Sequence, residues 1–115
     1  RAETAVEKYT FKDSVLSRRC VVPTTGYLEW SADKTKYRFN LPDESMLYLA
    51  GFFKQFVDGY RFVILTTEPN GSVKLVHNRM PVILPTDSIV RWTLDTSWAL
   101  SYLSSVMPEL IKTKL

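Results

Sequence analysis

The chain is poor in the residues that most often announce chemistry: its 115 residues hold one cysteine, one histidine and four glycines. A lone cysteine excludes an internal disulfide and fits a reducing compartment. One cysteine and one histidine cannot make a zinc site, so neither metal nor cofactor is expected. Four glycines leave no glycine-rich phosphate loop, and no serine sits in a nucleophile elbow. No apolar run approaches the ~18 residues of a membrane span, so no membrane partner is expected. No secretory signal is visible, although the chain begins at Arg1 rather than at methionine. Repeats, low-complexity tracts and linkers are missing too.

What is present suits one ordinary globular domain. Hydrophobic residues make up 45% and charged residues 23%, with three tryptophans, six tyrosines and six phenylalanines to fill a core. The net charge of +3 and a pI near 9.1 lean mildly toward polyanions. Basic residues are scattered, apart from Arg18-Arg19 and the pair Lys112 and Lys114.

The spacing of Thr10-Phe11-Lys12-Asp13 predicts a capping box that opens a short helix buried through Phe11, Val15 and Leu16. Beyond Arg18 the period changes to two. Strands are expected at 20–22, 27–31, 36–41, 46–53, 60–66 and 80–84, broken by turns at Pro23 and Gly26, Ala32-Asp33-Lys34, Pro42-Asp43-Glu44-Ser45, Asp58-Gly59 and Pro69-Asn70-Gly71. Thr86-Asp87 and Asp95-Thr96-Ser97 read as N-caps of two helices, each carrying a tryptophan. Tight turns between successive strands make the sheet mainly antiparallel. The expected class is α+β, with an antiparallel sheet or open barrel-like core and short flanking helices.

Two stretches hold candidate site residues. In an extended Tyr27-Leu28-Glu29-Trp30-Ser31, Glu29 shares a face with Tyr27 and Ser31, while Leu28 and Trp30 share the other. Glu29 then either faces solvent on an edge strand or lies in a half-buried cleft, where desolvation would suit it to acid–base work. In Val76-His77-Asn78-Arg79-Met80-Pro81, His77 stands where a break meets a buried strand. It is either structural or catalytic. Arg79 either holds an anion through its planar fork or makes a surface salt bridge. The hydroxyls of Thr66 and Thr67 either bind phosphate or satisfy a turn. Cys20 reads as a small buried hydrophobe.

Taken together these segments resemble a known family. Arg1-Ala2-Glu3-Thr4, Arg19-Cys20-Val21-Val22-Pro23, Gly26-Tyr27-Leu28-Glu29-Trp30, Ala50-Gly51-Phe52, Ile64-Leu65-Thr66-Thr67-Glu68-Pro69-Asn70 and His77-Asn78-Arg79-Met80-Pro81-Val82-Ile83-Leu84 occur in this order. The chain is similar to the SOS response-associated peptidase (SRAP) domain, the abasic-site processing family, from residue 1 to about 92. The resemblance implies a cytoplasmic, nucleoid-associated DNA-damage protein that removes its own initiator methionine and exposes an N-terminal cysteine. The cysteine amine condenses with the ring-opened aldehyde of an abasic site in single-stranded DNA. Its thiol then closes onto the imine as a stable thiazolidine. Carried over by motif, Glu29 is the acid–base group for Schiff-base formation and His77 assists ring opening of the sugar. Arg1, Arg79 and Thr66 hold the DNA backbone.

The departures from the family pattern are expectations too. The chain begins at the arginine of the family's Asn-Ala-Arg motif, so residues 1–115 read as a single partial domain, its C-terminal two-thirds, without the N-terminal segment and its cysteine. A last family strand falls about where the chain stops at Leu115. Cys20 is internal, has no free amine, and cannot replace the nucleophile. A non-covalent single-stranded-DNA binding module is the alternative function, and a peptidase acting on other proteins a weaker third.

Overall fold

The computed structural model describes residues 1–43 and 45–115. Residues 1–10 wind through consecutive turns pinned to the core by Ala2 and Ala5. These turns supply what the expected capping box would have supplied. The Phe11 and Lys12 amides donate to the Lys8 carbonyl at 3.0 and 2.9 Å. Helix α1 (Lys12–Ser17) therefore starts from Phe11 with no side-chain cap, and Thr10 is not used. Val15 is fully buried, and the Phe11 ring lies 5.2 Å from Phe52; Ser14 takes the second buried position and Leu16 only half-buries.

The chain continues through β1 (Arg19–Thr24), β2 (Tyr27–Trp30), β3 (Lys36–Asn40), β4 (Leu47–Phe56), β5 (Gly59–Ile64), β6 (Thr66–Thr67) and β7 (Met80–Pro81). A 3-10 turn (Thr86–Ser88), α2 (Ile89–Leu94), α3 (Thr96–Tyr102) and β8 (Ile111–Lys114) complete it. Every strand pairing is antiparallel, in the orders β1-β4-β5, β2-β3-β8 and β6-β7. The class is α+β. Of the expected turn at Pro42-Asp43-Glu44-Ser45, Glu44 lies outside the described residues.

β4 is the spine. One edge is taken by β1; the other is shared between β5, along residues 51–56, and the chain at 82–84. There the Ala50 amide donates to the Val82 carbonyl at 2.9 Å, and Leu84 donates back to Tyr48 at 2.8 Å. Among the described residues the three sheets do not close into a barrel. This sharing explains two differences from the expected strands. The run at 60–66 divides at Leu65, because Thr66 and Thr67 turn aside to pair with Pro81 and Met80. The run at 80–84 forms a ladder only at its start, its remainder bonding to β4.

β8 carries no amphipathic signal, since all four of its side chains are exposed. It is a strand because β3 offers it an unpaired edge, in register from Tyr37↔Lys114 to Asn40↔Ile111. Of the two C-terminal helices, α3 is capped as its sequence suggests, Asp95 Oδ1 accepting from the Trp98 amide at 3.0 Å. The 3-10 turn and α2 have no side-chain cap.

Candidate active site

β2 turns its polar side chains inward. Leu28 and Trp30 are 49% and 55% exposed, whereas Tyr27 and Glu29 are half-buried. β2 is an edge strand, and Glu29 on it is half-buried rather than free in solvent. Gly26 makes the close approach possible, because a Cβ there would lie 2.7 Å from the Phe39 carbonyl oxygen. The resulting register sets Tyr27 against Phe39 and Glu29 against Tyr37. The Tyr27 ring stacks on Phe39 with centroids 5.2 Å apart. Its hydroxyl is buried with no hydrogen-bond partner among the described residues. Burial, and secondarily the charge of Glu29, push this phenol far above its ordinary range, so it stays protonated.

His77 is delivered by a segment that reads in sequence as a mere break. Val73 and Val76, three apart on consecutive turns at 71–76, are buried at 0% and 7% exposure and anchor it. Asn70 fastens the other end, its Nδ2 donating to the Met107 and Pro108 carbonyls at 3.1 and 2.8 Å. The imidazole is then held by backbone. Nδ1 lies 3.2 Å from both the amide nitrogen and the carbonyl oxygen of Arg79. Nε2 points at Glu29 Oε1, 3.7 Å away. When Nδ1 accepts from the Arg79 amide, the ring proton sits on Nε2, facing the carboxylate. The two side chains are 36% and 30% exposed, which leaves the pair open to a ligand.

Arg79 is the most enclosed of the candidate cations, with its side chain 15% exposed. Its Nε donates to Thr66 Oγ1 at 3.3 Å and its Nη2 to the Thr66 carbonyl at 2.8 Å. That carbonyl also accepts from the Ala2 amide at 2.6 Å, which brings the exposed Arg1 to the same corner. Thr66 thus neither satisfies a turn nor stands free; it braces Arg79. The structure adds a residue that the candidate set did not contain. Glu3 accepts from Arg79 Nη2 at 2.8 and 3.2 Å through its two oxygens. A carboxylate two residues from a candidate DNA-binding arginine was the available signal, and no sequence rule links it to position 79.

Geometry thus assembles Glu29 with His77, and Arg1, Thr66 and Arg79 with Glu3; Arg79 joins the sets, its backbone holding the His77 ring. A cleft of about 700 Å³ lies beside Glu3, bounded also by Thr67, Glu68, Leu103 and Met107, and none of Glu29, His77 or Arg79 lines it. The Glu29–His77 pair lies outside that cleft, partly open to solvent.

A model of the SOS response associated peptidase (SRAP) family matches residues 1–113. The chain belongs to the SRAP family. The match runs beyond the sequence-level resemblance, taking in α3 and most of β8. Among SRAP relatives, the abasic site processing protein YoaM of Bacillus subtilis is 34% identical over 116 residues, covering 93% of this chain and 51% of that protein. Abasic site processing protein YMR114C of Saccharomyces cerevisiae is 29% identical over 125 residues, covering all of this chain and 34% of its own. A crystal structure of a protein from Bacteroides thetaiotaomicron superposes with a TM-score of 0.87 at 28% identity, over the whole chain and 56% of that one. The chain spans about half the length of the Bacillus relatives it matches.

Within this SRAP chain Cys20 is a poor nucleophile, since burial pushes its thiol upward, away from the thiolate. It packs near Gly51, where a Cβ would come within 3.6 Å of its sulfur. Arg19, half of the densest basic pair in the sequence, is buried and serves the fold. Among the described residues no helix is long and apolar enough to cross a membrane.

Proposed function

We propose that this chain carries the acid–base and phosphate-holding part of a protein that captures abasic sites in single-stranded DNA as a covalent adduct. The observation that supports it most is the 3.7 Å approach of His77 Nε2 to Glu29 Oε1, both side chains partly open to solvent. A carboxylate and an imidazole that face each other and solvent can exchange a proton with a bound third group.

The nucleophile comes from outside these residues, as an N-terminal cysteine exposed by self-cleavage of an initiator methionine. Its amine adds to the open-chain aldehyde of the lesion, and loss of water gives the imine. The thiol then adds across the C=N bond to close the thiazolidine. Opening the sugar ring needs a proton delivered to the ring oxygen and one removed from the hydroxyl, which suits His77. Dehydrating the carbinolamine needs a proton on its departing hydroxyl, which suits Glu29 once it is protonated. Arg79, braced by Thr66, and the exposed Arg1 hold flanking phosphates, which makes binding salt-dependent. Such a protein works in the cytoplasm, at the nucleoid.

The test is adduct formation by the full-length chain on a single-stranded oligonucleotide with one abasic site, read on a denaturing gel. Glu29→Gln and His77→Ala should each slow it by about 10²–10⁴-fold, without changing how binding responds to salt. Wild-type rates in both variants refute the assignment. A wild-type chain that binds DNA yet yields no adduct supports the non-covalent binding module instead. The 115-residue chain by itself should form no thiazolidine.

A further inference from the structure

Glu3 has no part in the reading above, yet it makes the closest charged contact of any candidate residue, its Oε2 2.8 Å from Arg79 Nη2. Arg79 is already oriented by Thr66, through Nε to the hydroxyl and Nη2 to the carbonyl. With Nη2 shared between Glu3 and Thr66, Nη1 is the terminal nitrogen that takes no part in these contacts. We infer that Glu3 is the positioning residue for Arg79: its carboxylate fixes the guanidinium with Nη1 presented to a DNA phosphate, and its charge weakens the hold on that phosphate.

The inference rests on the proposed reading of Arg79 as a phosphate contact. Its physical content is a compromise. A guanidinium alone would grip any phosphate on any strand. One already bonded to a carboxylate offers a defined edge and little net charge, so affinity for undamaged strand falls while the register of the strand on the site stays fixed. Register matters because the same residue clasps the His77 ring with its backbone, 3.2 Å from Nδ1. Glu3 itself is exposed and its neighbours Ala2 and Ala5 hold the turn, so the isosteric Glu3→Gln should fold normally.

The experiment is a double-mutant cycle in the full-length chain with a fluorescent, undamaged single-stranded oligonucleotide, followed by anisotropy at several KCl concentrations. Glu3→Gln keeps an acceptor for Nη2 and removes the charge. It should tighten binding about three- to tenfold and steepen the log–log salt dependence by up to about 0.7. In an Arg79→Ala background the same change should give no gain. On abasic DNA at saturation Glu3→Ala, lacking the acceptor, should form adduct at least about threefold more slowly than Glu3→Gln. Unchanged or weaker binding by Glu3→Gln overturns the inference, and so does a gain that persists without Arg79, which would make Glu3 an ordinary surface charge. Equal adduct rates for the two Glu3 variants would likewise remove the positioning role. If Arg79→Ala alone leaves binding unchanged, it is the phosphate reading of Arg79 that has failed, and the inference falls with it.

Discussion

Arg19→Met is the substitution whose cost the structure lets one work out. Arg19 is 8% exposed, and among the described residues no carboxylate lies within ion-pair distance of it. Its guanidinium instead collects the ends of three helices. Nε donates to the Trp92 carbonyl at 2.5 Å, Nη1 to those of Val15 and Leu16 at 2.9 and 3.0 Å, and Nη2 to the Thr96 hydroxyl at 3.0 Å. The Val15 and Leu16 carbonyls belong to the last turn of α1, that of Trp92 to α2, and Thr96 opens α3. A cation among C-terminal carbonyls also sits well in the helix dipoles. Methionine matches the aliphatic stem but donates nothing, so the Val15 and Trp92 carbonyls, both in buried bonds, lose their partner. At ~1–3 kcal/mol for each orphaned buried group, the loss is about 4 kcal/mol. That is a large share of the ~5–15 kcal/mol expected of a domain this size. It corresponds to a fall in Tm of roughly 15 °C at ~4 °C per kcal/mol. Urea denaturation followed by circular dichroism gives the comparison, with Arg19→Lys as an intermediate, since an ammonium cannot span all three helices. A loss below about 1 kcal/mol for Arg19→Met would show that these carbonyls find water or other donors, and the reasoning would be wrong.

Tyr27→Phe should be neutral or stabilising by up to about 1 kcal/mol in this chain, because it deletes a buried hydroxyl that has no partner among the described residues; a clear loss in a thermal melt would mean that the hydroxyl is bonded. Gly26→Ala should cost about 1–3 kcal/mol, since its Cβ meets the Phe39 carbonyl at 2.7 Å, and β2 with Glu29 must shift; an unchanged melt and adduct rate would contradict this. Val73→Ala, at a fully buried anchor, should cost about 2 kcal/mol and loosen the turn that carries His77, seen as faster amide exchange at His77. The Glu3 contact has a pH signature. Burial works against its charge, but the hydrogen bonds and charge of Arg79 outweigh burial and hold the carboxyl below its ordinary 4.5. A depressed acid stabilises above its unfolded value and loses that contribution as pH falls through the lower folded one. The urea midpoint of wild type should therefore exceed that of Glu3→Gln at pH 7, and the gap should close below about pH 4; a gap that widens in acid would reverse the assignment.

Period-two alternation, turn residues and the Asp95 cap made the α+β class and most strands readable, because those features are local and the backbone answers to them locally. Motifs led to the SRAP family for the same reason: short ordered strings survive as strings. The residues on their own also put Glu29, His77, Arg79 and Thr66 forward as candidates, and the family motif added Arg1. The sequence could not say that Glu29 lies on the inward face of an edge strand, since Leu28 and Trp30 look like core and are half-exposed. Nor could it separate the adjacent Arg18 and Arg19, of which the second is buried under three helices. β8 stayed hidden because its partner edge on β3, some seventy residues earlier, makes it a strand. Glu3 reaches Arg79 across 76 positions of chain. Local propensity and motif follow from neighbours along the chain, but which face is buried, which cation is neutralised and which two polar groups meet depend on packing between distant segments, and only the folded molecule decides that.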